Sequence, residues 1–368
     1  MNPSIMAFSA SGALAVLSHF VAPAFVTALL ISLLRRPAQH LGLVDRPGGR
    51  KLHEGAIPLV GGIGMALGYI LTMLLTSQFA YDQQNLLLGL AMLVALGVLD
   101  DFRELSAKKK LLWQLAAAAV IVVPGTEYLY HLGDLAGLGR IELGWFALPF
   151  TLFAIVGLIN AVNMSDGIDG LAGGLVTTSA VWMAVLATMC GFRLMVLELL
   201  LLMAVTLGFL AFNLRTPVRT KAAVFMGDAG SMMLGACLAW FAIHLTQFPA
   251  FVGENPPPVV ILWVLGLPVL DTVVLMLRRI HQGRIPFSAG RDHMHHIWTH
   301  AGFSIAQTTV CLTVVNLLLG AIGVIGWRLG APEWLLTAGY VGVFLLHREL
   351  AKHAWRVSKW LRVHKPHA

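Results

Sequence analysis

Eleven apolar runs set the terms on which this chain can fold. They centre on residues 14–34, 58–76, 86–99, 111–125, 146–162, 171–189, 194–212, 230–247, 258–277, 305–327 and 334–347. A helix needs about 20 apolar residues to cross the hydrocarbon core of a bilayer. Backbone polar groups at that depth find no water, so a spanning segment must satisfy them internally, as a helix does. The runs at 86–99 and 111–125 are short, and Pro124-Gly125 marks the end of the second. Composition points the same way. Of 368 residues, 58% are hydrophobic and only 12% are charged, about half the charged share of a soluble domain. So few charges cannot clothe a surface in water. The expected fold class is an all-α polytopic membrane protein with about eleven transmembrane helices. No internal repeat, low-complexity segment or separate soluble domain is visible, so residues 1–368 are read as one integral membrane domain.

Lysine and arginine orient the spans. With the N-terminus outside, 22 of the 25 lysines and arginines fall in inside loops or the C-terminal tail. Only Arg140, Arg193 and Arg328 fall outside. Cytoplasmic loops carry this excess in membrane proteins, so the C-terminus is expected in the cytoplasm. The same alternation supports the count of eleven, because a missed span would scramble it. From His347 onward, Leu350, Ala354, Val357 and Leu361 recur at helical spacing between basic residues. Residues 347–368 are therefore read as a basic amphipathic cytoplasmic tail in the membrane interface; a solvated tail is the alternative.

The net charge of +7 is explained by those loops. No basic cluster is interleaved with aromatics, as nucleic-acid grooves require, so no nucleic-acid partner is expected. Cys190, Cys237 and Cys311 lie in or beside apolar runs without metal-type spacing, and they are read as packed thiols. The first run lacks a basic leader region, so no cleaved signal peptide is expected.

The polar residues fall on one side of this topology. Asp100 and Asp101 end the third run. Asp166 and Asp169 lie in a hinge between the fifth and sixth runs, in the stretch Asn160 to Leu171 that also holds Asn163, Gly167 and Gly170. Asp228 lies at the start of the eighth run, in Val224-Phe-Met-Gly-Asp-Ala-Gly-Ser231. His293-Met-His-His296 follows the ninth run in a long loop. All are expected at the cytoplasmic face, and acids at membrane depth usually mark a site because burying them is costly. Asp271, inside the ninth run, is read either as a residue that supports the site from behind its contact residues or as a structural hydrogen-bonding residue of the bundle. Carboxylates, an amide and glycines suit a hard cation such as magnesium, which takes oxygen ligands and keeps waters and phosphate oxygens. Lys108, Lys109, Lys110, Arg284 and Arg291 offer cations for phosphate, and the histidines beside Arg291 suit an anion clamp. Metal, cations and positioned acids are the equipment of phosphoryl transfer. Taken singly, each motif has a plainer reading. Asp100-Asp101 could be a solvated helix-end pair. Asp166 and Asp169 could cap the sixth helix. The histidines could be solvated loop residues.

Together these residues resemble the polyprenyl-phosphate N-acetylhexosamine-1-phosphate transferases. The resemblance runs from about Gly42 to Ser304. Its pieces are Gly42-Leu-Val-Asp-Arg-Pro through Arg50-Lys-Leu-His53, Asp100-Asp101, Asn160 to Leu171, Phe225 to Ser231, and Pro286-Phe-Ser through His296. Pro-Phe-Ser before His-x-His-His is similar to the bacterial branch that uses UDP-N-acetylglucosamine and undecaprenyl phosphate. In that branch an acid precedes the arginine of the histidine motif; here Gly290 stands there and Asp292 follows Arg291.

The resemblance implies transfer of N-acetylglucosamine-1-phosphate to undecaprenyl phosphate with release of UMP. That would be the first lipid-linked step of a cell-envelope polysaccharide such as the O-antigen of lipopolysaccharide. It implies a bacterial inner membrane location, a magnesium cofactor for which manganese could substitute, membrane lipids as surroundings and a homodimer. It also implies roles. Asp228 and Asn163 would hold the metal. Asp100 would deprotonate or position the lipid phosphate, with Asp101 its partner at the metal. Asp166 would lie near the metal or nucleotide. Asp169 and Phe225 would hold the uracil. Lys110, Arg291, His293, His295 and His296 would hold diphosphate and sugar. The loop from Asp45 to His53 is a further candidate for lipid-phosphate contact. No Ser, Cys or His stands out as a covalent nucleophile, which favours direct attack, and an aspartyl-phosphate route stays open. Three other readings stay open: the same chemistry with UDP-N-acetylmuramoyl-pentapeptide or another UDP-N-acetylhexosamine, a multi-spanning transporter, and a lipid-binding scaffold without turnover.

Overall fold

The computed structural model describes residues 17–45, 55–75, 81–283, 293–353 and 359. Each of the eleven apolar runs forms a helix. A π-helical turn, Leu17–Val21, leads into α1 (Ala22–Leu41). A two-stranded ladder follows, β1 (Val44–Asp45) against β2 (Ile57–Pro58), antiparallel, with Val44 opposite Pro58. Then come α2 (Gly61–Leu75), α3 (Tyr81–Phe102), α4 (Ala107–Val122), α5 (Ala147–Ser165), α6 (Leu171–Met189) and α7 (Arg193–Asn213). The chain continues through α8 (Gly227–Gln247), α9 (Pro258–His281), a short α10 (Met294–His300), α11 (Ile305–Arg328) and α12 (Glu333–Lys352).

Among the described residues, eight helices are long and apolar enough to cross a membrane, so the chain is an all-α polytopic membrane protein. The other helices formed by the apolar runs are α2, α4 and α12; the seven-residue α10 lies outside those runs. α2 and α4 have 15 and 16 residues, short for a full crossing. α12 carries Glu333 at one end and Arg348, Glu349 and Lys352 at the other. Several helices outrun their apolar runs, because backbone hydrogen bonding continues where apolar side chains stop. α1 runs through Arg35, Arg36 and Pro37 and stops only at Gly42, which takes a left-handed φ of 77°. α12 continues unbroken through His347, so the expected tail helix begins as the end of α12, and its remainder apart from Lys359 lies outside the described residues.

α8 is the axis of the bundle. Every residue from Ala229 to Phe241 is buried, as expected of a helix apolar on all sides. It packs chiefly on α3 and α5, and also on α2. Small residues permit the close approach, as in other membrane bundles. A Cβ on Gly62 would lie 2.2 Å from the Gly230 nitrogen, and one on Gly97 would lie 2.2 Å from the Ala229 nitrogen. α9 is not one continuous span. Gly266 breaks it with φ 28° and ψ −110°, two residues before Pro268. The freed backbone groups find partners on other helices. Leu267 N–H donates to Asn316 Oδ1 at 2.9 Å, and Ser179 Oγ donates to the Val264 carbonyl at 2.9 Å. Apolar periodicity alone cannot reveal such a break, since both halves are equally apolar.

Gly62→Leu places a side chain into backbone that cannot yield. Overpacking typically costs about 1–3 kcal/mol, and more where the obstacle is main chain. Thermal unfolding in detergent should show a midpoint several degrees below that of the parent protein. Gly342→Ala is the control, because a Cβ there meets nothing within 4 Å, and its midpoint should not move.

Candidate active site

Three helix ends and one hinge assemble the acids. Asp100 and Asp101 occupy the last turn of α3. Leu105 N–H donates to Asp100 Oδ1 at 2.8 Å, which turns the chain back toward α3 before α4 begins at Ala107. Lys110, in the first turns of α4, thus returns over the carboxylate it follows. Its Nζ lies 2.9 Å from Asp100 Oδ2 and 2.5 Å from Asp228 Oδ2. Asp228 sits in the first turn of α8, where the helix dipole favours an acid. Its other oxygen accepts from Asn163 Nδ2 at 2.9 Å, and Asn163 also donates to Ser231 Oγ at 2.8 Å. The Asp228 backbone N–H donates to Asp101 Oδ1 at 3.2 Å. Gly227, at φ 70°, leaves room for this contact, since a Cβ there would lie 2.4 Å from Asp101 Oδ2. Asp101 Oδ2 is buried and accepts from no donor among the described residues.

The hinge between α5 and α6 does not use its acids to cap α6. Gly170, with a left-handed φ of 81°, is the residue before α6, and Asp166 closes the C-terminus of α5. Asp169 is held elsewhere. Its Oδ2 accepts from Arg215 Nε at 2.6 Å and from the Ala222 N–H at 3.4 Å. Thr309 of α11 donates to the Asp169 carbonyl at 2.8 Å. Asn213 staples the hinge to the segment before α8. It accepts from Gly170 N–H at 2.6 Å and donates to the Val224 carbonyl at 2.9 Å. Phe225 is half-buried, and its backbone is locked between β2 and α2: its N–H donates to the Pro58 carbonyl at 2.9 Å, and its carbonyl accepts from Gly61 N–H at 3.0 Å.

The histidine motif reaches the same end of the bundle. His295 is buried against the hinge, where a Cβ on Gly167 would lie 2.3 Å from its Nε2. His296 lies beside it, with ring centroids 4.3 Å apart and planes tilted by 50°. His293 turns the other way, with Nδ1 2.8 Å from Asp271 Oδ2. Arg291 lies outside the described residues. Burial, then the nearby His296 and His293, push His295 down to about 3, so its ring is neutral. Burial, then the charges of Asp228 and Asp169, raise the Asp166 carboxyl to about 7.

The structure therefore brings Asp100, Asp101, Asp228, Lys110 and Asn163 into direct contact. Asp166 joins them through its field, and His295 through Gly167. Asp169 and Phe225 lie on the flank formed by Arg215, Ala222 and β2. Three participants escaped the sequence reading. Ser231 lies one helical turn after Asp228, a spacing that could have shown it. Arg215 stands in a basic loop without a motif, and Asn213 ends an apolar helix; neither carried a signal.

A divalent cation fits these residues. All the donors are oxygens, the Lys110 ammonium pairs with Asp100 and Asp228, and a buried Asp101 oxygen is left without a partner among the described residues. Among the described residues no three His, Cys, Asp or Glu side chains form a closed metal cage. The all-oxygen donor set suits magnesium better than structural zinc, since magnesium takes one or two carboxylates and completes its shell with water and phosphate.

A profile described as glycosyl transferase family 4 matches residues 84–246, the span from α3 through α8 that carries the acids. The chain is 39% identical over 332 residues to the undecaprenyl-phosphate alpha-N-acetylglucosaminyl 1-phosphate transferase of Yersinia pestis, covering 89% of each. The chain is a member of glycosyl transferase family 4. Further relatives of the same description come from Escherichia coli O157:H7, 36% identical over 91% of each chain, and from Haemophilus influenzae, 36% identical over 94% of this chain and 97% of its relative. These alignments extend past the 84–246 segment to cover most of this family 4 chain, the histidine motif's end of the bundle included.

The raised Asp166 carboxyl gives a signed pH dependence. Between its ordinary value of 3.8 and about 7, the folded protein holds a proton there that the unfolded chain has lost. Stability of the metal-free protein should fall as pH rises through that window. Unfolding midpoints in EDTA across the window should decline with pH, and Asp166→Asn should flatten the decline.

Proposed function

We propose that this protein transfers N-acetylglucosamine-1-phosphate from UDP-N-acetylglucosamine to undecaprenyl phosphate, releasing UMP. The observation that carries this reading is the meeting of Asp100, Asp101, Asp228 and Asn163 around Lys110 at one end of the bundle. The names of relatives that match the chain nearly end to end support the donor and the acceptor. The enzyme would span the bacterial inner membrane eleven times, with its N-terminus outside and the site facing the cytosol, where nucleotide-activated sugars are made. Pairing of two copies belongs to the same reading and rests on the resemblance alone.

An oxygen of the lipid phosphate attacks the β-phosphorus of the UDP-sugar in line. The bond from that phosphorus to the oxygen bridging the two phosphates breaks, and UMP leaves with the electron pair. Asp228, Asn163 and Asp101 would hold magnesium, which would neutralise charge on the diphosphate. Asp100 orients the lipid phosphate and takes its proton when it arrives singly protonated. Lys110, already between two carboxylates, is placed to steady the charge that grows on the departing UMP. Asp169 and Phe225 hold the uracil on the far flank, with Arg215 keeping the Asp169 carboxylate in place. His295, against the hinge, and His296 beside it would face the sugar-phosphate.

UMP release is the test. Detergent-purified protein with undecaprenyl phosphate and magnesium should release UMP from UDP-N-acetylglucosamine, and EDTA should abolish it. Asp228→Asn should reduce turnover by about 100-fold or more without loss of fold; near-normal turnover would remove Asp228 from the metal. Release only with UDP-N-acetylgalactosamine or UDP-N-acetylmuramoyl-pentapeptide would keep the chemistry and change the sugar, with the Gly290 loop as the place to look. Release from no donor would favour a transporter or scaffold.

Orientation is checked separately. Val218 and Leu138 are 98% and 92% exposed on opposite sides of the expected topology. A membrane-impermeant maleimide should label Leu138→Cys in intact spheroplasts, and Val218→Cys only after permeabilisation.

A further inference from the structure

Asp271 lies in the second half of α9, beyond the break at Gly266. A carboxylate in an apolar helix is costly unless its oxygens are occupied. Here three donors occupy them, and none comes from α9. His293 Nδ1 lies 2.8 Å from Oδ2. His347 Nε2, from α12, lies 3.2 Å from Oδ1. The Met294 backbone N–H donates to Oδ1 at 3.2 Å. An ionised carboxylate only accepts, so both rings carry their proton on the nitrogen that faces it. For His293 this fixes the tautomer, leaving Nε2 as the ring's other polar atom.

The Met294 bond matters most for structure. Met294 opens α10, and the first N–H groups of any helix lack partners within it. α10 has seven residues, too few to hold itself by its own hydrogen bonds. Asp271 therefore caps α10 from another helix and fixes where it starts. From that start, the His293 ring lies nearly parallel to His295, with centroids 5.4 Å apart and planes 14° apart. His295 in turn packs on Gly167 of the hinge. A chain of contacts thus runs from α12 through His347 and Asp271 to the histidine motif and the acidic hinge. Asp271 touches none of the residues assigned above to the metal or the lipid phosphate.

We propose that Asp271 is a positioning residue for the donor. Braced by His347 of the C-terminal helix, it holds α10 so that His295 and His296 meet the sugar-phosphate of the nucleotide sugar. This rests on the function proposed above, in which the histidine motif faces the donor. It extends the working site to α12, far from the acids in sequence, and leaves acceptor binding to the α3, α4 and α8 side.

The test separates donor from acceptor. Asp271→Asn keeps the size of the side chain and removes its charge. It should raise the KM for UDP-N-acetylglucosamine by about tenfold, the scale of one lost charge-assisted hydrogen bond. It should leave kcat within about threefold and the KM for undecaprenyl phosphate unchanged. His347→Ala should shift the same constant in the same direction. His347→Gln, whose amide can still donate to Oδ1, should recover most of the loss. Hydrogen–deuterium exchange of the peptide spanning residues 294–300, read without substrate, should be faster in Asp271→Asn. A donor KM within twofold of the parent in Asp271→Asn overturns the proposal, even if exchange is faster, because Asp271 is then only a brace. A fall in kcat alone also overturns it. If Asp271→Asn fails to fold, the His347 pair decides: a parent-like donor KM in His347→Ala overturns the proposal. The parent protein's own UMP release is the reference. Its absence would sink the proposed function, whereas a working parent with an unaltered variant sinks only the role of Asp271.

Discussion

Carboxylates drawn together at the edge of an apolar bundle repel each other, and the Lys110 ammonium is what lets them stay. It lies within ion-pair distance of both Asp100 and Asp228, which come from different helices. Each of the two carboxylates also has other partners, a backbone N–H for Asp100 and the Asn163 amide for Asp228. One lysine cannot answer every acid nearby. Asp101 keeps an oxygen buried without a partner, and Asp166 responds by holding its proton to about 7. That unmet negative charge is the chemical character of the site. Lys110 supplies a cation that is already in place, and the divalent cation of the proposed function would answer the charge that remains.

The geometry that permits this contact is set below it, in the membrane. α8 carries Asp228 into the centre of the bundle because glycines on α2 and α3 let backbone meet backbone. Gly227 does the same at the site, where only a missing Cβ allows Asp101 to receive the Asp228 N–H. The apolar packing and the polar cluster are thus one construction. Loosening the α3–α8 contact would separate the acids that Lys110 joins.

The site has two flanks held by different means. The acids and Lys110 are tied side chain to side chain across α3, α4, α5 and α8. The Asp169–Phe225 flank is tied through backbone, with Phe225 stitched to β2 and α2, and the hinge stapled by Asn213 and Thr309. The histidine motif is tied by neither; its anchor is Asp271 beyond the broken part of α9.

The amino-acid sequence by itself determined the helices, the membrane class and the acids. Apolar runs long enough to span a bilayer leave no other fold, and acids in so apolar a chain stand out because burial makes them costly. Lys110 and Asp228 were legible as members of a site for the same reason. The sequence could not say that Lys110 bridges Asp100 and Asp228, that Asp169 is held by Arg215, or that His293 turns its Nδ1 to Asp271. Those pairings join residues up to 118 positions apart, and nothing local encodes them. Nor could it show the break in α9 or the capping of α10 from a distant helix. Partners of this kind are chosen by which helices pack together, and packing is decided by shape across the bundle, which only the tertiary structure contains.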